Sequence, residues 1–192
     1  MEKTIKQFKP FILILLLILY GYVSISCSIL SKYTAVQKSD FKQVMTQLDT
    51  PEKVTSWIAE NITYDWGRMR ANGTRQWSSF QQWWLFGIKS PIQTYYDKSG
   101  VCCDFANLAG YALHKAGYKV KIVTGKKYGG ARGLDQHTVC AFKNEGKWWI
   151  TGDSRYRYKW SVSGPFNNIK EIANFAVGGK AAEYDTSYRK GF

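Results

Sequence analysis

The stretch SGVCCDFANLAGYALHKAG, residues 99–117, constrains the fold more than any other part of the chain. Cys103, Ala106, Ala109 or Gly110, and Leu113 recur at helical spacing, with Phe105, Leu108 and Ala112 beside them. A helix that is apolar round much of its circumference has no solvent face, so it must be central. Gly117 ends it. YKVKIVT (118–124) then reads as a strand before the glycine-rich, basic loop Gly125 to Gly133. DQHTVCAFK, the turn NEG and KWWITGD together read as an antiparallel hairpin.

Other segments dress this centre. Thr50-Pro51-Glu52 supplies a capping side chain, a proline at the first helical position and an acid in the first turn. With Val54, Trp57, Ile58 and Ile62 as a buried stripe, a helix is predicted over 51–61. Phe80, Trp83 and Trp84, with Gly87 as a stop, predict a short amphipathic helix. Its aromatics would cover core, wall a cleft or dip into a membrane. Arg155, Arg157 and Lys159 alternate with Tyr156, Tyr158 and Trp160, the pattern of a half-exposed strand with a basic face. Ser163-Gly164-Pro165 breaks that pattern, and Ile169, Ile172, Ala173 and Ala176 predict a last helix. The tail from Gly178 onward carries no signal. One globular domain is expected, over 51–192.

Ahead of it, residues 33–50 read as a polar linker with a short helix after Ser39. Residues 1–32 read as a signal or membrane-anchor segment: Lys3, Lys6 and Lys9 precede an apolar run from Phe11 to Ile25 that continues to Leu30. Ser26 before Cys27 also fits a lipoprotein site, with Cys27 lipidated. Cleaved signal, lipid anchor and membrane span all remain open, and each favours a domain exported to the cell envelope. Residues 1–32 hold four of the 27 basic and one of the 14 acidic residues, so the remainder carries a formal +10. Such a charge favours anionic neighbours, such as lipid headgroups or a wall polymer. No zinc-finger spacing and no RNA-binding signature is present, which argues against nucleic acid.

Of four cysteines, Cys102, Cys103 and Cys140 belong to the folded part. An odd number cannot pair fully, and adjacent cysteines bridge only under strain. At least one thiol is therefore free. A nucleophilic thiol needs a lowered pKa, an imidazole partner and a group to orient that partner. Cys102 and Cys103 both lie at a helix N-terminus, whose unpaired N–H groups favour thiolate. His114 and His137 are the two histidines, and His114 lies three turns along the same helix, about 16 Å away by helical rise. That leaves His137. If Asn144-Glu145-Gly146 forms a three-residue loop, His137 stands opposite Asp153, and Cys140, Phe142, Trp148 and Ile150 share the other face. A two-residue loop, Glu145-Gly146, would put His137 and Asp153 on opposite faces.

Gly100-Val101-Cys102-Cys103-Asp104-Phe105-Ala106, then His137 opening a strand, then Asp153 after a Trp-rich strand, resembles the transglutaminase-like superfamily of papain-type thiol enzymes. IAENITY (58–64) is similar to that family's helix and tyrosine ahead of the core. The resemblance implies an α+β papain-like core, with the Cys-bearing helix packed on an antiparallel sheet that carries His137 and Asp153. It implies Cys102 as nucleophile, His137 as base and Asp153 as orienter, with Cys103 at a variable position. The Cys102 backbone N–H would be the oxyanion donor, with Gln93, Tyr95 or Tyr96 as second donor. The expected function is acyl transfer on peptide or amide bonds of a protein or peptide substrate, as a cysteine peptidase or amidohydrolase. Transglutaminase crosslinking of glutamine and amine is one alternative. A catalytically silent basic module binding a wall polymer or membrane surface is another. No cofactor is expected, and no carboxylate cluster stands out as a calcium site.

Overall fold

The computed structural model describes Tyr20 and residues 38–73, 87–128, 134–155 and 161–186. Cys27 and the rest of the leader apart from Tyr20, the expected helix around Phe80, Trp83 and Trp84, and residues 156–160 lie outside the described residues. Among the described residues no helix is long and apolar enough to cross a membrane. Backbone contacts divide the chain into two compact units, Met1–Lys42 and Gln43–Phe192.

Helix α1 (Pro51–Asn61) begins where the sequence predicts, with the Thr50 hydroxyl accepting from the Lys53 N–H at 3.3 Å and Val54, Ile58 and Ala59 buried. A two-residue strand β1 (Thr63–Tyr64) follows, then α2 (Trp66–Gly73) and α3 (Pro91–Asp97). Helix α3 starts with a reciprocal cap, Ser90 and Gln93 each bonding the other's backbone N–H. Strand β2 (Ser99–Gly100) pairs in parallel with β1 and delivers the chain into α4 (Cys102–Lys115). This is the central helix: Asp104 to Gly110, Ala112 and Leu113 are all buried.

The main sheet contains β3 (Lys119–Tyr128), β4 (Leu134–Asn144), β5 (Lys147–Thr151), β6 (Ser163–Phe166) and β7 (Glu183–Asp185). Its order is β6-β5-β4-β3-β7, antiparallel throughout. Val123, Val139, Ala141, Trp148 and Ile150 share one face and pack on Ile172, Ala173 and Ala176 of α5 (Ile169–Ala176). Alternation puts Val120, Ile122, Cys140 and Phe142 on the opposite face, where α4 lies across β3 and β4. The sheet is therefore buried on both sides. Leu108, Leu113, Ile122 and Phe142 are nearly fully enclosed, each contributing about 1.5–3 kcal/mol by burial.

Three expectations need correction. The β4–β5 loop has two residues, not three: Asn144 pairs with Lys147, while Glu145 (φ 48°) and Gly146 (φ 79°) both take the left-handed conformation that matches strand twist in a two-residue turn. Trp148 and Ile150 consequently face α5 with Val139 and Ala141, not Cys140 and Phe142. Second, Ser163-Gly164-Pro165, expected only as a break in the preceding alternation, forms the edge strand β6, where the missing proline N–H costs no ladder bond. Third, Arg155 lies in a bend after β5 rather than in a half-exposed strand. The tail also adds structure, as β7 on the β3 edge at Thr124 to Lys126.

The ladder between β4 and β5 ends at Cys140 and Thr151, and Gly152 at φ 64° takes the chain out of it. A Cβ on Gly152 would lie 2.6 Å from the Ala109 Cβ and 3.2 Å from the Phe105 carbonyl oxygen. Gly146 is equally left-handed at φ 79° but has nothing within 4 Å. Gly146→Ala should therefore cost only backbone strain of about 1–3 kcal/mol. Gly152→Ala should cost clearly more, because its methyl group also meets α4. Urea unfolding of the two variants measures this, and equal losses would refute the packing account.

Candidate active site

The start of α4 is fixed by Asp104, whose carboxylate is fully buried. It accepts from the Val101 N–H at 2.9 Å, which caps the helix, and from the Lys89 N–H at 2.8 Å. It also pairs with the Arg68 guanidinium, which in turn donates to the Gly87 carbonyl at 2.6 Å. Asn107, one turn on, donates to the Lys89 carbonyl at 3.0 Å. A buried carboxylate is stable only when such donors replace its lost water. Here they tie α2 and the segment before α3 to the first turn of α4. Gly100 is required close by, since a Cβ there would stand 2.8 Å from that of Asp104.

Cys102 is the first residue of α4 and Cys103 the second. Burial opposes the Cys102 thiolate, but hydrogen bonding and charge from His137, with donors from the Thr138 backbone and side chain, outweigh it and hold its pKa below the usual thiol value. The neighbouring thiol goes the other way. Burial and the negative charge of Asp104 and Cys102 push the Cys103 pKa well above the ordinary value. Two adjacent cysteines thus acquire opposite chemistry from their surroundings. Cys140 is fully buried opposite Ile122 in the β3–β4 ladder.

His137 Nε2 lies 2.8 Å from Asp153 Oδ1, which leaves Nδ1 as the ring nitrogen for the thiol. Burial would lower the imidazole pKa, but Asp153 and Cys102 more than offset it and raise it to about 9. Asp153 is itself 1% exposed; burial would raise its pKa, yet bonds from His137 and Arg155 bring it down to about 2. The structure thus brings Cys102, His137 and Asp153 together, although the register is the one that would separate the last two on a continuous strand. The turn at Gly152 resolves this: Asp153 is no longer bound by strand alternation.

Other residues singled out from sequence are engaged elsewhere. Gln93 caps α3 with Ser90. Tyr95 is buried, stacked on Trp57 at 5.4 Å between ring centroids, and Tyr96 meets it edge-on at 4.8 Å. The phenol at the Cys102 N–H is instead Tyr64, whose hydroxyl accepts from that group. Burial first, then the charge of Cys102 and Cys103, raises its pKa to about 12, so it is a neutral phenol at ordinary pH. The β1–β2 pairing explains its place, setting Tyr64 beside Gly100, two residues before Cys102. The similarity of IAENITY to the family pattern was the available signal for it. Arg155, read from sequence as part of a solvated basic face, turns onto Asp153.

A family model described as a transglutaminase-like domain matches residues 31–173. Similar solved structures include a TGase at 15% identity, covering 78% of this chain and 39% of that one, with a TM-score of 0.46. Another is a candidate cysteine protease from Cytophaga hutchinsonii at 22% identity, covering 74% of this chain and 47% of that one, with a TM-score of 0.38. The chain spans less than half the length of either. No curated protein matches it. The family match covers well over half of the sequence, including all three residues of the cluster, and the chain belongs to the transglutaminase-like domain family.

Proposed function

We propose that this protein is a cysteine-dependent enzyme that transfers acyl groups from peptide or amide bonds, with hydrolysis as its main reaction. The observation that carries this reading is the chain of contacts from the Cys102 thiol through His137 to Asp153, with the Asp153 carboxylate 2.8 Å from His137. Family membership supports it. In this mechanism the Cys102 thiolate attacks an amide carbonyl. The resulting alkoxide is met by the hydroxyl of Tyr64, a neutral donor held at Cys102 by that residue's N–H. The C–N bond then breaks as His137 gives its proton to the leaving amine, producing a free amine and a Cys102 thioester. Water, deprotonated by His137, attacks the thioester, releasing the carboxylic acid and regenerating the thiol. Asp153 keeps the imidazole oriented and stabilises its charged form.

The working state is a thiolate–imidazolium pair, and its pH range follows from the two shifts. The thiolate persists below the ordinary thiol range because the Cys102 pKa is lowered. The imidazolium persists until pH rises through about 9. Iodoacetamide should therefore label one thiol in a fast phase at mildly acidic pH, and turnover of an amide substrate should fall as pH passes about 9, where His137 loses the proton it gives to the leaving amine. That phase should vanish in Cys102→Ala and His137→Ala and survive in Cys103→Ala. Equal, slow labelling of all thiols would sink the enzymatic reading and favour a binding module.

Hydrolysis and crosslinking differ in what resolves the thioester. With a peptide amide substrate and an added primary amine, mass spectrometry should find mainly the free acid. Predominant amine incorporation would make the protein a crosslinking transferase.

The location of the reaction is proposed from the leader. Three lysines followed by the apolar run from Phe11 suit an exported, envelope-anchored domain, and a formal +10 beyond residue 32 suits an anionic surface there. Protease added to intact cells should digest the domain while sparing a cytoplasmic marker. Protection of the domain until lysis would reverse the orientation.

A further inference from the structure

Arg155 follows the candidate orienting carboxylate by two residues and makes more contacts with it than His137 does. Its backbone N–H donates to Asp153 Oδ1 at 2.9 Å. Its Nε lies 3.1 Å from Oδ1 and 3.0 Å from Oδ2, and its Nη2 lies 2.5 Å from Oδ2. Its Nη1 points the other way, donating at 3.1 Å to the carbonyls of both Phe175 and Ala176. Those are the last two residues of α5, at its negative dipole end, where the Phe175 carbonyl also accepts from the Gly178 N–H at 3.1 Å. The Phe175 ring lies beneath the guanidinium, 4.9 Å from Cζ to centroid. A planar fork held on three sides has little freedom to turn.

We propose that Arg155 is a positioning residue of the active site: it locks the Asp153 carboxylate in the orientation that holds His137 and anchors it to the C-terminal end of α5. Two effects of the guanidinium oppose each other. As a cation beside Asp153 it weakens the pull of that carboxylate on the imidazolium. As a clamp it keeps Oδ1 at 2.8 Å from Nε2, where that pull is strongest. Asp153 and Cys102 are the charged groups that set the His137 imidazole. Lys170 and Glu171 of α5 sit at its opposite end, with Glu171 bonded to Asn167 and Asn168. The sign of the change on removing Arg155 therefore separates the two effects. Loss of a clamp lowers the His137 pKa, whereas loss of a cation alone raises it.

The test uses the full chain with Arg155→Met, which keeps an unbranched stem, and Arg155→Lys, which keeps the charge but not the fork. With only two histidines present, NMR titration of labelled imidazole carbons reads His137 directly, and His114 serves as an internal reference. Positioning predicts that His137 falls from about 9 by roughly one unit or more in Arg155→Met, with Arg155→Lys between it and the wild type. The high-pH limb of amide turnover should move down with it by a similar amount. A His137 titration that stays put or rises in the folded variants overturns the proposal. If Arg155→Met does not fold, the Arg155→Lys titration decides alone. The inference rests on the thiol-enzyme reading above, and the two fail differently. Wild-type protein without a fast thiol removes that reading, whereas fast wild-type labelling with an unmoved His137 in the variants removes only the role of Arg155.

Discussion

The structure depends first on a carboxylate that never meets water. Asp104 is fully buried at the first turn of the central helix, and its donors come from Val101, Lys89 and Arg68. An uncompensated charge there would destabilise the fold by several kcal/mol, so each of these segments must be in place for the helix to start where it does. Because the helix starts there, Cys102 stands at its open end. The apolar body of α4 is held by packing, but the position of its first residue is held by charge.

From that point a second polar chain runs outward: Cys102, His137, Asp153, Arg155 and the carbonyls ending α5. Each member offsets the desolvation of its neighbour. Charge on Cys102 is favoured by the imidazole beside it, charge on the imidazole by the carboxylate, and the carboxylate by a guanidinium and two N–H donors. Cys103 shows the opposite case within one residue. It faces the negative side of the Asp104 cluster, so burial there keeps a thiol neutral.

Much of this was legible in the residues. The all-round apolar helix, the capped helix over 51–61, the hairpin and the last helix follow from hydrophobic period and capping chemistry, which are local. The hairpin register was not, because Glu145 is an unusual occupant of a left-handed turn position and pattern alone favours placing only Gly146 there. The pairing of His137 with Asp153 was expected for a reason the structure replaces, alternation along a strand giving way to the turn at Gly152. Tyr64 and Arg155 were hidden because their roles depend on long-range juxtaposition. A two-residue strand pairing sets the first, and a helix end twenty residues downstream sets the second. The short strand β7 was invisible, being completed by the exposed edge of β3 rather than by its own pattern.

Sequence kinship and mechanical integrity end at different places in this chain. The family match stops at residue 173, whereas the carbonyls that hold Arg155 belong to Phe175 and Ala176, and β7 closes the sheet edge only at Glu183 to Asp185. A fragment cut at the edge of similarity would keep every side chain of the proposed chemistry and lose the backbone that braces it. The limit of the folded unit is therefore set by the acceptors of Arg155 and the strand on the β3 edge, beyond residue 173, where the family match stops.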